Sequence, residues 1–270
     1  GGPDRDLPGQ DLLLQARSGL AARTGRADGA PTPTGPVIVD QHAASLLAMG
    51  ILAALLGRAK SGRGCLVEGS LLQSAIDLQS ESLTAWLNGA RSDTPRGRHG
   101  LASWCSAGPS GIHATADGFL AISMASPADL AVALEMPALA SMPASAGFDR
   151  RDEITQAVAE RLAQKTTADW LPALQKQAIW HMPVKDYDDL RDDVQLAHLG
   201  TFVDTQGAEG APVTLLGHPL RFDGAAPPVR LVPQKLGAQT RDVLREAGYD
   251  DAQIEAFVQS RTVGAAAAPD

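Results

Sequence analysis

The sequence predicts an α/β protein, on three observations. A short apolar run, Pro36-Val37-Ile38-Val39, reads as a buried strand and leads at Asp40 into a long apolar helix. A second run, residues 65–68, reads as another strand and leads into a helical segment over 70–88. Strand alternating with helix is the pattern of an α/β unit. Over 88–111 that pattern breaks into sequence rich in Gly, with Pro95 and Pro109, which marks a boundary near residue 90.

The elements follow in order. Residues 11–23 carry Leu12, Leu13, Leu14, Ala16, Leu20 and Ala21 at roughly helical spacing, before a turn-rich loop over 24–36. The helix after Asp40 repeats Leu46, Leu47, Gly50, Ile51, Ala54 and Leu55 at i, i+3 and i+4, and ends at Gly62-Arg63-Gly64. It is predicted to be buried. Residues 111–124 read as two strands joined by Ala116-Asp117-Gly118, because Asp-Gly favours a hairpin turn. Helices are predicted over 151–164 and 167–177, with Thr167 as N-cap and Pro172 a loose fit to a first turn. Residues 182–184 form a strand, and 240–247 a helix stopped by Gly248. Asp250 with Gln253 makes a capping-box-like start for a last helix.

Composition narrows the function classes. With 23 Lys and Arg against 31 Asp and Glu, the net charge of −8 disfavours nucleic acid and anionic membrane surfaces as partners. The nearly apolar stretch 42–56 falls short of the roughly 20 residues needed to cross a bilayer. Cys65 and Cys105 have no spacing that suggests a zinc site or disulfide scaffold, and a reducing, cytoplasmic setting is expected. The chain opens Gly1-Gly2-Pro3-Asp4, without Met or the regions of a signal peptide, so it is expected to begin inside a longer protein. The Ala-rich tail, 264–270, is expected to fray.

Several chemistries lack their motifs. There is no G-x-S-x-G elbow, H-E-x-x-H helix, P-loop or complete dinucleotide fingerprint, and Gly62-Arg63-Gly64 reads as a helix C-cap. The six histidines, His42, His99, His113, His181, His198 and His218, lack ligand-like spacing, so no metal is assigned. Cys65 reads as an inert thiol packed in a strand. Asp40 stands at a strand-to-helix junction, where α/β enzymes often expose chemistry, although position alone favours a plain N-cap.

The wider context changes that reading. Pro8-Gly9-Gln10-Asp11-Leu12, Gln15-Ala16-Arg17-Ser18-Gly19-Leu20, Thr24-Gly25, the run 35–40, Met49-Gly50-Ile51-Leu52-Ala53-Ala54-Leu55 and Ser61-Gly62-Arg63-Gly64 together resemble family III CoA-transferases, the family of formyl-CoA and carnitine CoA-transferases. Thr115-Ala116-Asp117-Gly118, Met182-Pro183-Val184, Pro219-Leu220-Arg221-Phe222 and Leu236-Gly237-Ala238-Gln239-Thr240 follow the same family in the same order. The resemblance covers essentially the whole chain and is most specific in its first third.

What the resemblance implies is an enzyme that moves CoA from an acyl-CoA to a carboxylic acid, with Asp40 as nucleophile and CoA thioesters as substrates, not bound cofactors. Asp40 would pass through a mixed anhydride and an aspartyl-CoA thioester, and backbone N–H groups would hold the oxyanion. A Gly-rich loop would shield the anhydride from water, here the segment 97–111 with Gly97, Gly100, Gly108 and Gly111. Arg17 and Gln41 are the candidates for touching CoA, most of whose site would lie in an N-terminal half that this chain lacks. The implied fold is a Rossmann-like large domain, incomplete at its N-terminus and built from 1–89 and 182–270, with a small α+β domain over 90–181 inserted between. Two chains would interlock as rings in an obligate homodimer. Two alternatives remain. One is an α-methylacyl-CoA racemase, whose acid and base residues would fall at Gln10 and Ser126, neither suited to the task. The other is a non-catalytic fragment without the CoA-binding half.

Overall fold

Gln10 opens the first helix: its side chain accepts the Leu12 amide at 3.1 Å, capping α1 (Asp11–Arg17). The computed structural model describes residues 2–90, 96–97, 99–143, 145–208 and 210–266. The helix predicted over 11–23 is broken by Gly19 at φ +86°, beyond which α2 (Leu20–Arg23) resumes. Then come α3 (Ile38–Ser61), α4 (Leu71–Asp77) and α5 (Ser80–Leu87). Leu14, Val39 and Ala75 form a small core where α1, α3 and α4 meet.

Two predicted strands are absent here. Ile38 and Val39 belong to the first turn of α3, and residues 65–68 pass beside that helix, with Val67 against Gly50, but join no helix or ladder among the described residues. β-branched residues favour strands only where a neighbouring strand takes their backbone groups; at Val39 a buried carboxylate takes the amide instead. The prediction that α3 is buried is also corrected. Val39 is its only buried residue, while Met49, Leu52 and Leu56 are 58%, 61% and 69% exposed. The helix extends beyond the 42–56 stretch at both ends and, by length and composition, is long enough to cross a membrane.

Beyond residue 100 the predicted hairpin is present. Strands β1 (Gly111–Ala114) and β2 (Phe119–Ser123) pair antiparallel, and β3 (Trp180–Pro183) joins the far edge of β2. Helices α6 (Pro127–Ala133), α7 (Pro137–Ala140), α8 (Ala146–Asp149), α9 (Arg151–Leu162) and α10 (Thr167–Lys176) lie between β2 and β3 in the chain. Leu120, Ile122, Leu130, Ile154, Leu162 and Trp170 are among the residues of their shared core, and the Trp170 indole donates to the Leu162 carbonyl at 2.9 Å. Thr166, not Thr167, caps α10, in a capping box with Asp169, and Pro172 stands inside the helix. This region is α+β in arrangement.

Residues Gly1–Val184 form one compact unit and Lys185–Asp270 another. The boundary predicted at 181/182 would cut β3, where Met182 pairs with Ala121. Across the boundary predicted near residue 90, Arg96 donates to the carbonyls of Gly29 and Ala30 at 2.8 and 2.7 Å. The second unit contains α11 (Tyr187–Arg191), α12 (Val194–Leu199), the hairpin of β4 (Phe202–Gln206) and β5 (Pro212–Leu216), α13 (Thr240–Glu246) and α14 (Asp251–Gln259). Asp250 and Gln253 form the predicted capping box of α14. Of the tail expected to fray, 267–270 lie outside the described residues.

Candidate active site

Asp40 is in the first turn of α3 but is not its cap; Val37 holds the N-cap position and offers no side-chain bond. The helix is capped from outside. Asp11, only 2% exposed, accepts the Val39 and Asp40 amides on Oδ2 at 2.8 and 3.2 Å. Its Oδ1 accepts Gln15 Nε2 at 2.5 Å, and Gln15 Oε1 accepts the Thr34 amide at 2.9 Å. A carboxylate on orphan amides at a helix N-terminus is favourable through both hydrogen bonding and the helix dipole. The Asp40 carboxylate is thereby released from capping: it is exposed and makes no hydrogen bond or ion pair among the described residues.

Of the four opening amides, the Val39 and Asp40 amides go to Asp11 and Ile38 N–H donates to Pro36 O at 2.9 Å, and the first helical bond runs from Gln41 N–H to Val37 O at 3.1 Å; the Val37 amide has no acceptor among the described residues.

Asp40 lines a cavity of about 570 Å³ between α3 and α4. Ala43, Leu47, Gly50, Val67 and Leu71 give it an apolar wall. Its polar groups include Glu68, Ser74 and Asp77, the last held by His42 Nε2 at 2.7 Å from Oδ2.

The other predicted site residues are spread out. Arg17 is paired with Asp4, and Gln41 is exposed beside Asp40; neither lines the Asp40 cavity. Gly108 lines a separate cavity of about 820 Å³ with Cys105, Ser106, Ser110, Ser126 and Ser80, and Asp40 is not part of it. Gly100 and Gly111 are required by a backbone crossing: a Cβ on Gly111 would lie 2.1 Å from Gly100 O, and one on Gly100 would lie 2.4 Å from Ile112 O. Gly97 accepts the Ala27 amide on its carbonyl at 3.0 Å. Arg98, within the predicted loop, lies outside the described residues. Cys65 is exposed, correcting the packed-thiol reading, because the strand that was to bury it does not form. Among the described residues no group of three or more His, Cys, Asp or Glu side chains gathers to hold a metal ion.

Gln10 and Ser126 both serve as helix caps. The Ser126 hydroxyl accepts the Asp129 amide at 3.2 Å and donates to the Asp129 carboxylate at 2.6 Å. Sequence reasoning passed over Asp11, Gln15, Ser74 and the His42–Asp77 pair. Asp11 and Gln15, one turn apart on α1, are both buried in a stretch otherwise rich in Leu, and that spacing was the available signal.

A mixed helix and sheet protein, with a free carboxylate in the first turn of a helix capped from elsewhere, is the class that this geometry defines. Comparison with known proteins gives the family: residues 1–240 match the model of CoA-transferase family III, and the chain belongs to that family. It is 26% identical to succinyl-CoA:glutarate CoA-transferase of Mus musculus over 97% of this chain and 61% of that protein. It is 27% identical to formyl-CoA:oxalate CoA-transferase of Escherichia coli over 97% of this chain and 68% of that protein. A crystal structure of a CaiB/BaiF family protein from Brucella suis superposes with a TM-score of 0.72 at 21% identity, covering 91% of this chain and 65% of that one, and the two share a fold. The chain thus spans about three fifths of the length of curated relatives such as the mouse protein.

Proposed function

We propose that this chain carries the nucleophile of a CoA-transferase and that the nucleophile is Asp40. The observation that carries the reading is the division of labour at the start of α3. Asp11 does the capping, so the Asp40 carboxylate is left exposed at a cavity with no protein partner among the described residues. A carboxylate needs no base to act as nucleophile.

In the cycle, an Asp40 oxygen attacks the thioester carbonyl of the donor, the C–S bond breaks, and CoA leaves as thiolate. The thiolate attacks the aspartyl carbonyl of the mixed anhydride, giving an aspartyl-CoA thioester and the free donor acid. The acceptor carboxylate attacks that thioester and expels the thiolate again. The thiolate then takes the acyl group from the second anhydride, and Asp40 returns as carboxylate. No net proton, electron or water is consumed.

The racemase reading is disfavoured by Gln10 and Ser126, whose polar atoms are engaged as caps. The Rossmann-like completion of 1–89 and 182–270, the interlocked homodimer and the roles of Arg17, Gln41 and the loop glycines belong to the same proposal and rest on family resemblance, and the cytoplasmic setting rests on the cysteine usage. The expectation of neither nucleic acid nor membrane as partner rests on the net charge of −8.

The test is trapping. Acyl-CoA followed by hydroxylamine should convert Asp40 to its hydroxamate, read as a mass change on its peptide. Asp40→Asn should lose transfer by several orders of magnitude while stability falls by less than about 1 kcal/mol, since Asp40 caps nothing. Label on another carboxylate, or an active Asp40→Asn enzyme, overturns the assignment.

A further inference from the structure

Arg96 is only 8% exposed, and every hydrogen bond that it makes among the described residues goes to a single loop. The loop spans 24–32 and is closed at its neck, where the Thr24 and Thr32 amides both donate to the Ala21 carbonyl, at 3.4 and 3.1 Å. Gly25, at φ +88°, lets the two sides meet: a Cβ there would lie 2.6 Å from Thr32 Oγ1. Loops of this closed form are ordinarily packed by their own side chains. Here a guanidinium from another part of the chain does so. Arg96 Nη1 donates to Ala30 O at 2.7 Å and approaches Thr24 O at 3.5 Å, and Nη2 donates to Gly29 O at 2.8 Å. The next residue adds a further tie, since Gly97 O accepts the Ala27 amide at 3.0 Å.

The neck of this loop stands next to a line of hydrogen bonds that ends at Asp40. Pro31 and Pro33 flank Thr32; each fixes its own φ and keeps the residue before it out of the helical region, so the step from Ala30 to Thr34 is stiff. The Thr34 amide then donates to Gln15 Oε1, Gln15 Nε2 donates to Asp11 Oδ1, and Asp11 Oδ2 accepts the Val39 and Asp40 amides. We infer that Arg96 is a positioning residue for Asp40: it shapes the loop 24–32, and through Pro33, Thr34, Gln15 and Asp11 the loop fixes the backbone that carries the carboxylate. Without the guanidinium the Gly29 and Ala30 carbonyls lose their donors and turn toward water, and the neck beside Thr34 shifts with them. This inference deepens the reading of Asp40 as nucleophile and rests on it.

Hydrogen exchange reads the linkage without turnover. In Arg96→Ala the Thr34, Val39 and Asp40 amides should exchange about tenfold faster, with α9 and α10 as protected as in the wild type. Arg96→Lys keeps the charge but not the planar fork, and its exchange should fall between the two. Pro33→Gly leaves every hydrogen bond of Arg96 in place and softens the step to Thr34. Val39 and Asp40 should again exchange faster there, while the Ala27 amide keeps its protection. The second readout is labelling. At saturating acyl-CoA, hydroxamate formation on Asp40 should slow about tenfold in Arg96→Ala with the half-saturating concentration nearly unchanged, because positioning acts on the reacting atom and not on binding. An arginine that only stabilised its own loop would move neither the Val39 and Asp40 exchange nor the labelling rate.

Wild-type exchange at Val39 and Asp40 in both Arg96 variants, or in Pro33→Gly, overturns the inference; should Arg96→Ala not fold, Arg96→Lys and Pro33→Gly decide it. The two readings fail separately. Hydroxamate on Asp40 at an undiminished rate in Arg96→Ala defeats the positioning role and leaves the nucleophile standing. Faster exchange at Val39 and Asp40 with the label on another carboxylate supports the linkage and defeats the nucleophile.

Discussion

Removing the Asp11 carboxylate tests whether the N-terminus of α3 is built from outside. Asp11→Ala deprives three donors of their acceptor: the Val39 amide at 2.8 Å, the Asp40 amide at 3.2 Å and Gln15 Nε2 at 2.5 Å. The Asp40 bond is only part-buried, so water can replace the acceptor there at little cost. The other two donors are buried, and each costs about 1–3 kcal/mol when left unpaired. With the lost charge at the helix end, worth about 0.3–1 kcal/mol, the sum is about 2–7 kcal/mol. Asp11→Asn keeps one oxygen for the α3 amides but turns an N–H₂ toward Gln15. Gln15 must then rotate its amide and lose the Thr34 bond, at about 1–2 kcal/mol. Since this relay fixes the backbone that carries Asp40, the proposed nucleophile, Asp11→Asn should also lower kcat about ten- to a hundredfold with KM nearly unchanged. Urea unfolding and steady-state transfer assays give the two quantities. A cost below about 1 kcal/mol for Asp11→Ala, or full kcat in Asp11→Asn, would refute the relay.

Further perturbations reach other parts of the first unit. His113 is buried with Nε2 2.8 Å from the Pro109 carbonyl and Nδ1 unpartnered; burial lowers its pKa below the ordinary value, and the carbonyl bond opposes that only in part. The unfolded chain then binds the proton more readily, so stability is complete above about pH 6.5 and is lost as pH falls through that value toward the depressed folded pKa. Urea midpoints between pH 7.5 and 5.5 should show this slope, and His113→Gln should flatten it by up to about 1.4 kcal/mol per pH unit; an unaltered slope would assign the acid sensitivity elsewhere. Gly111→Ala places a Cβ 2.1 Å from Gly100 O, a backbone atom that cannot step aside, so thermal unfolding should show a loss of more than about 2 kcal/mol. A near-neutral result there would mean that the crossing of residues 100 and 111 is not close in solution.

The sequence by itself determined the family, the hairpin of β1 and β2, the helices α9, α10 and α14, and the candidacy of Asp40. These rest on local codes: the Asp-Gly turn, helical spacing of apolar residues, the capping box at Asp250, and a motif spelled out in contiguous residues. Tertiary structure decided what depends on a distant partner. Val37-Ile38-Val39 has strand propensity, yet Ile38 and Val39 are helical, because Asp11, nearly thirty positions earlier, receives the Val39 and Asp40 amides. Residues 65–68 have strand composition but no ladder among the described residues, since a strand exists only where another backbone answers its hydrogen bonds. The same long-range bond decides the capping question at Asp40. From position in the sequence, an Asp at a helix start reads first as a cap; only the packing of α1 against α3 shows that another carboxylate has taken the capping role and left this one free.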